Sequence, residues 1–263
     1  MSTVLWRPDL AAENAVTAVP LFEGSGTAAI VLAGSHAWNR SSIESVLPRP
    51  LLPVADKPLI AHSLRWLARS GAREATICSN GFTPLITEHL RHVPGLPFLS
   101  YKEDDVPRGP AGCAADALAG TTAERLLVVE GSTIPALNLN RLLREHQASG
   151  AAVTLVVQPS DAASAVRRPA TPAGVYVFER SALGEVASGY QDIKEMLLQR
   201  LHGAGHTIRL HEAEGWCHQV VDTRTYLNVS QAAIRYLCGA AASAERPSAC
   251  EGWPTQGIVA HPI

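Results

Sequence analysis

Between Ala28 and Val54 the chain changes character three times. Ala28-Ala29-Ile30-Val31-Leu32-Ala33 is apolar throughout and stops at Gly34. A short run with Ile and Val, closed by glycine, predicts a strand buried on both faces of a parallel sheet. A polar loop without apolar period follows. Then comes Pro48-Arg49-Pro50-Leu51-Leu52-Pro53-Val54, too rich in proline for a helix interior or a central strand. Pro58 stands at the first turn of the next predicted helix. Strand, long polar loop and helix place a binding loop at the carboxyl end of the first strand, where open α/β sheets hold ligands.

The rest of the chain repeats the alternation. Periodicity and stop signals predict helices over 58–69, 83–90, 138–149 and 225–237, with Asn138 as an N-cap and Gly150 as a stop. Strands are predicted over 74–79, 97–101, 125–130, 152–158, 173–178 and 207–212. Tyr190–Glu195 opens another helix, with Asp192 and Glu195 as a capping box. Gly109 and Gly112 stand at a further helix start, where backbone N–H groups approach a phosphate or a base. Alternating strands and helices imply an α/β, doubly wound, mostly parallel sheet in three layers.

Composition narrows the function classes. The formal charge of -2 gives no basic field for nucleic acid. No apolar span or signal-peptide pattern points to a membrane or to export. The five cysteines, at 78, 113, 217, 238 and 250, show no zinc or redox spacing. They read as reduced thiols of a cytoplasmic protein.

These motifs carry a resemblance. Leu32-Ala33-Gly34, Pro50-Leu51-Leu52-Pro53-Val54 and Lys57-Pro58-Leu59-Ile60 resemble, in register, the signature of the sugar-1-phosphate nucleotidyltransferases (sugar-nucleotide pyrophosphorylases). Their pattern is L-A-G-G-x-G-T-R-L-x-P-L-T, then P-K-P-L-L-P-V and K-P-L-I. The segment around Gly109, Ala111 and Gly112 is similar to the family's G-T-A-G-A, with Pro110 at the threonine. Ala173–Phe178 resembles N-A-G-I-Y-V-F, Gln191–Glu195 resembles F-D-L-K-E-D-L-L, and Gly215–Thr223 resembles G-Y-W-x-D-I-G-T. The likeness spans roughly residues 27–237. It implies the Rossmann-type fold of nucleotide-diphospho-sugar transferases.

Inside that frame the chemistry is altered. Ser35 and Ala37 stand at family glycines, Asn39 at the catalytic arginine and Arg49 at the lysine of P-K-P. Ser132 stands at the first metal aspartate and Gln219 at the second in the ungapped register; a gapped register gives Asp222 that role. The family's E-K-P segment, which grips the sugar phosphate, has no counterpart between Pro159 and Pro172. The resemblance therefore implies a degenerate nucleotidyltransferase-like domain, leaning to a pseudoenzyme, that is regulatory or structural in sugar-nucleotide or polysaccharide biosynthesis. Leu32, Ala33, Gly34, Gly109 and Gly112 are the expected nucleotide-binding residues, and Arg49 the remaining catalytic candidate. No metal site and no cofactor are expected, with Mg²⁺ only if the chain is active. The expected partners are a nucleotide or sugar nucleotide, and a second copy or an active paralogue.

Two alternatives stay open: an active transferase with ligands relocated to Glu130, Asp222, Arg40 and Arg49, and a scaffold that binds no nucleotide. By domain, residues 1–26 form an N-terminal arm and 27–238 the transferase-like domain. Residues 239–263 form a linker and the start of a left-handed β-helix, to which Gly257–Ile263 is similar. Whether the native chain continues past Ile263 stays open.

Overall fold

The computed structural model describes residues 26–34, 47–104, 108–158, 170–214 and 217–243. The arm 1–25, the loop carrying Ser35, Ala37, Asn39 and Arg40, the segment 159–169 and the expected β-helix lead-in lie outside the described residues.

The strands of the central sheet are β1 (Thr27–Leu32), β4 (Glu74–Ser79), β5 (Phe98–Glu103), β6 (Arg125–Glu130), β8 (Val153–Gln158), β9 (Thr171–Glu179) and β10 (Ile208–Glu212). Their order is β10-β8-β9-β6-β1-β4-β5. All neighbouring pairs are parallel except those made by β9, which runs antiparallel to both β6 and β8. β1 is interior, as its unbroken apolar run predicts, with Ile30, Val31 and Ala33 buried. Short pairs lie beside the sheet: β2 (Pro53–Val54) with β3 (Lys57–Pro58), and β7 (Thr133–Ile134) with β11 (His218–Gln219).

Alternate residues of each strand feed two cores, and each core takes its own helices. Val31 of β1 and Val129 of β6 meet Ile60 and Leu64 of α1 (Leu59–Arg69), Ile86 of α2 (Thr83–Leu90) and Leu142 of α4 (Leu139–Ser149). Ile30 and Val128 meet Ala114 of α3 (Gly109–Ala119), Leu183 of α5 (Arg180–Leu183), Leu197, and Leu201 of α6 (Leu198–Gly203). The result is a helix–sheet–helix sandwich, the three-layer α/β fold expected. α4 is capped as predicted: Asn138 Oδ1 accepts from Arg141 N at 3.0 Å, and Gly150 is left-handed at φ 61°.

Strand ends shift by one or two residues, as at β5 and β9, and two helix boundaries move further. The helix expected over 225–237 is α7, Thr223–Ser243, so the first residues of the expected linker are helical. The run Gly239-Ala-Ala-Ala-Ser reads as a small-residue linker, yet alanine is the strongest helix former and extends the helix. The helix expected from Tyr190 starts at Ile193 and opens with a π-turn, Ile193–Leu197, in which Leu198 N bonds Ile193 O. Only half of the capping box forms. Asp192 Oδ1 accepts from Lys194 N and Glu195 N at 2.7 and 2.8 Å, while Asp192 N faces Met196 Sδ rather than Glu195.

Candidate functional site

The chain runs outward from β1 through β4 to β5, then returns to lay β6 on the other side of β1. Connections leaving β1 and β6 part there, opening a crevice at the strands' carboxyl ends. In that crevice lies a cavity of about 220 Å³. Leu32 and Glu130, in register across β1 and β6, form its floor with Gly34 and Ser132. Arg49 and Pro50, from a 3-10 turn at Arg49–Leu51, form one wall. Asn80 after β4, Asp104 after β5, the start of α3 and the stretch Tyr190–Lys194 complete it. Cys78 and Cys113 also line it; burial pushes the Cys78 thiol up to about 12 and Cys113 likewise upward, so both serve as apolar lining.

The charged centre of the cavity is Glu130. Tyr176 of β9 donates its hydroxyl to Glu130 Oε1 at 2.8 Å. Burial, followed by the nearby Glu130, pushes the Tyr176 phenol upward, so it acts as a donor. Lys194 Nζ lies 3.2 Å from the same oxygen. The Gln219 side-chain amide donates to Glu130 Oε2, and Lys194 Nζ lies 3.4 Å from Gln219 Oε1. Pairing of β11 with β7, Gln219 opposite Thr133, brings Gln219 there.

The two residues left open by the sequence lie in different places. Gln219, not Asp222, lies against the end of β6. Asp222 is exposed and caps α7, accepting from Thr225 N at 2.7 Å. The Thr225 contacts hold its carboxyl below the usual range.

Magnesium asks for hard anionic oxygens, usually one or two carboxylates beside substrate phosphates. Ser132 is neutral, and both oxygens of Glu130 already accept hydrogen bonds. Among the described residues no cluster of three or more His, Cys, Asp and Glu is disposed to hold an ion. Ser132 and Gln219, at the positions of the family's two metal aspartates, supply no anion to a Mg²⁺ ion.

The structure brings Leu32, Gly34, Arg49, Gly109 and Ser132 to the cavity wall. Ala33 is fully buried in the core behind it, and Gly112 is not among the lining residues. Asn39 lies outside the described residues. The glycines at α3 answer to the chain's own packing. A Cβ on Gly109, whose φ is 73°, would come within 2.7 Å of Gln191 O, and one on Gly112 would meet the Arg108 side chain. Ala111 N already donates to Gln191 O at 3.0 Å. One backbone donor expected to serve a ligand is therefore spent on the chain, because α3 is stapled to the Tyr190–Asp192 stretch.

Lys194, Tyr176, Asn80 and Asp104 were not singled out by sequence reasoning. The signal for Tyr176 was available: a tyrosine inside an otherwise apolar strand needs a partner for its hydroxyl. For Lys194 the signal was its place at the lysine of F-D-L-K-E-D-L-L.

Residues 28–166 match the family model for nucleotidyl transferases. The chain belongs to this family. A D-glycero-alpha-D-manno-heptose 1-phosphate guanylyltransferase of Aneurinibacillus thermoaerophilus is 26% identical over 133 residues, 50% of this chain and 57% of that protein. A mannose-1-phosphate guanylyltransferase of Mycobacterium tuberculosis is 26% identical over 185 residues, 61% and 51% of the two. The chain thus spans about half the length of these curated relatives. The crystal structure of HddC from Yersinia pseudotuberculosis complexed with GMP-PN superposes with a TM-score of 0.66 at 12% identity, covering 77% of this chain and 97% of that one. At that identity the likeness speaks for the fold.

Proposed function

We propose that the switch-point cavity holds a nucleotide or sugar nucleotide and that the chain has lost the transfer reaction. In this reading it is a regulatory or structural member of the nucleotidyltransferase family, acting with a second copy or an active paralogue in sugar-nucleotide or polysaccharide biosynthesis. Names of the relatives make guanine nucleotides the first to test. Free thiols at Cys78, Cys113 and Cys217 suit a reducing compartment such as the cytoplasm, and no described helix is long and apolar enough to cross a membrane.

The observation that carries this reading is the occupied carboxylate. Attack of a sugar-phosphate oxygen on the α-phosphorus of a triphosphate depends on positioning and on neutralising charge. In a family active site that charge is neutralised by an arginine and a metal. Here Ser132 offers no anion to a metal, Glu130 is engaged by three side chains, and Asn39 stands in the arginine's place. Loss of a single charge-stabilising group raises a barrier by ~3–4 kcal/mol. Several such losses at one centre leave little rate. Two features weigh against relocated carboxylate ligands: Asp222 caps a helix on the surface, and Glu130 is ion-paired.

A pyrophosphate-release assay over the common triphosphates and several sugar 1-phosphates checks the reading. The expected result is no turnover, with nucleotide binding seen by calorimetry. Turnover of about 1 s⁻¹, the low end of ordinary enzymes, abolished by Arg49→Ala, would overturn it.

A further inference from the structure

Glu130, Lys194, Gln219 and Tyr176 close on one another at the end of β6. Lys194 Nζ sits 3.2 Å from a Glu130 oxygen and 3.4 Å from the Gln219 oxygen. It therefore links the ends of β6 and β11, beside Ser132 and at Gln219, the two positions where the family resemblance puts metal aspartates. The ammonium is placed by the π-turn. Asp192 fixes the Lys194 backbone N–H, Ile193 beside it is buried, and the i+5 bond sets the turn. The Lys194 and Glu130 side chains are 37% and 22% exposed, so the pair faces the cavity and is within reach of a ligand.

We infer that Lys194 takes the electrostatic place of a divalent cation in this cavity, so that phosphate-bearing ligands bind here independently of Mg²⁺. An ammonium supplies a point positive charge with three donors and needs no ligand cage. It also defends its position. A metal entering at Glu130 would have to displace the Tyr176, Gln219 and Lys194 bonds and sit beside the Lys194 charge. The inference rests on the nucleotide-binding reading above for its ligand, but its metal side stands alone.

The experiment has two arms on the full chain. In the first, Mn²⁺ is titrated by electron paramagnetic resonance into wild type, Glu130→Gln and the double variant Lys194→Ala/Gln219→Asp, with thermal melts recording that each is folded. Wild type is expected to bind no Mn²⁺ at sub-millimolar concentration. The double variant, with Glu130 released and a second carboxylate opposite it, is expected to bind at least about tenfold tighter, a shift of ~1.4 kcal/mol. Lys194→Met/Gln219→Asp keeps the side-chain volume and substitutes if the first variant melts early. Sub-millimolar Mn²⁺ binding by wild type that Glu130→Gln removes would overturn the inference, as would a folded double variant with no gain.

The second arm measures GTP and GDP binding by calorimetry in Mg²⁺ and in EDTA. Affinities within about twofold of each other support the inference, and strengthening of about tenfold by Mg²⁺ sinks it. Failure of either nucleotide to bind under both conditions removes the nucleotide-binding reading instead, and the Mn²⁺ arm then decides the question of Lys194.

Discussion

Gly174 shows how closely one residue is held at the cavity. Its φ is 76°, and an added Cβ would run into Thr133 Oγ1 and come within 3.3 Å of Glu130 Cβ. Thr133 is itself pinned, donating its hydroxyl to Ala173 O at 3.1 Å and accepting from Ser63 on its carbonyl. Gly174→Ala is expected to cost about 1–3 kcal/mol in backbone strain, with overpacking of similar size added. Gly189→Ala, at φ 80° with open space around it, should lose only the strain. Denaturant midpoints of the two variants compare them; equal losses would show that the close approach is relaxed and not rigid. At this scale the sequence was partly legible. Gly34, Ser132 and Gln219 were found by register with a family signature. Tyr176 and Lys194 fell in register with family motifs too, but their meeting at Glu130 did not show, because it lies 46 and 64 residues away from them and only the closed sheet brings them together.

Among the elements, α4 follows local rules at both ends, and its stability should follow them too. Asn138→Ala removes the bond to Arg141 N and is expected to lower stability by about 1 kcal/mol, whereas Asn138→Ser should be near neutral. Urea midpoints read both; a neutral alanine variant would mean that packing of Leu142 and Leu143 alone holds the first turn. Local chemistry of this kind is why α4, β4, α2 and β6 were legible almost to the residue. The turn at Ile193–Leu197 was not. Asp192 signalled a helix start correctly, but whether the following turn closes at i+4 or i+5 depends on how Ile193 and Leu197 seat in the core beneath α3. The same holds for Gly109, whose glycine reads as a phosphate cradle but is demanded by the Tyr190–Gln191 backbone pressed against it.

For the whole molecule, buried imidazoles set a pH dependence. Burial holds His62, His146 and His218 below the usual histidine value; at His146 the neighbouring Glu179 opposes that effect without reversing it. The unfolded chain, with histidines near ~6.5, then takes up protons before the native state does. Stability is therefore full above that value and declines as pH falls through it toward the native values. Urea midpoints at ~pH 7.5 and ~pH 5.5 should differ in that direction, and His146→Asn should flatten the slope. An unchanged slope in the variant would remove His146 from the account. The alternation of strands and helices made this architecture readable from sequence, while the antiparallel β9 was not, since an apolar strand carries no mark of its direction. The seat of β1 between β4 and β6 also orders events on the ribosome. One neighbour of β1 emerges after about forty residues and the other after about ninety. At ~5–20 residues per second, one whole edge of this apolar strand waits roughly 5–20 s for its mate. During synthesis the nascent chain thus carries an open, adhesive template along β1, and the half-made protein is expected to aggregate more readily than the finished one.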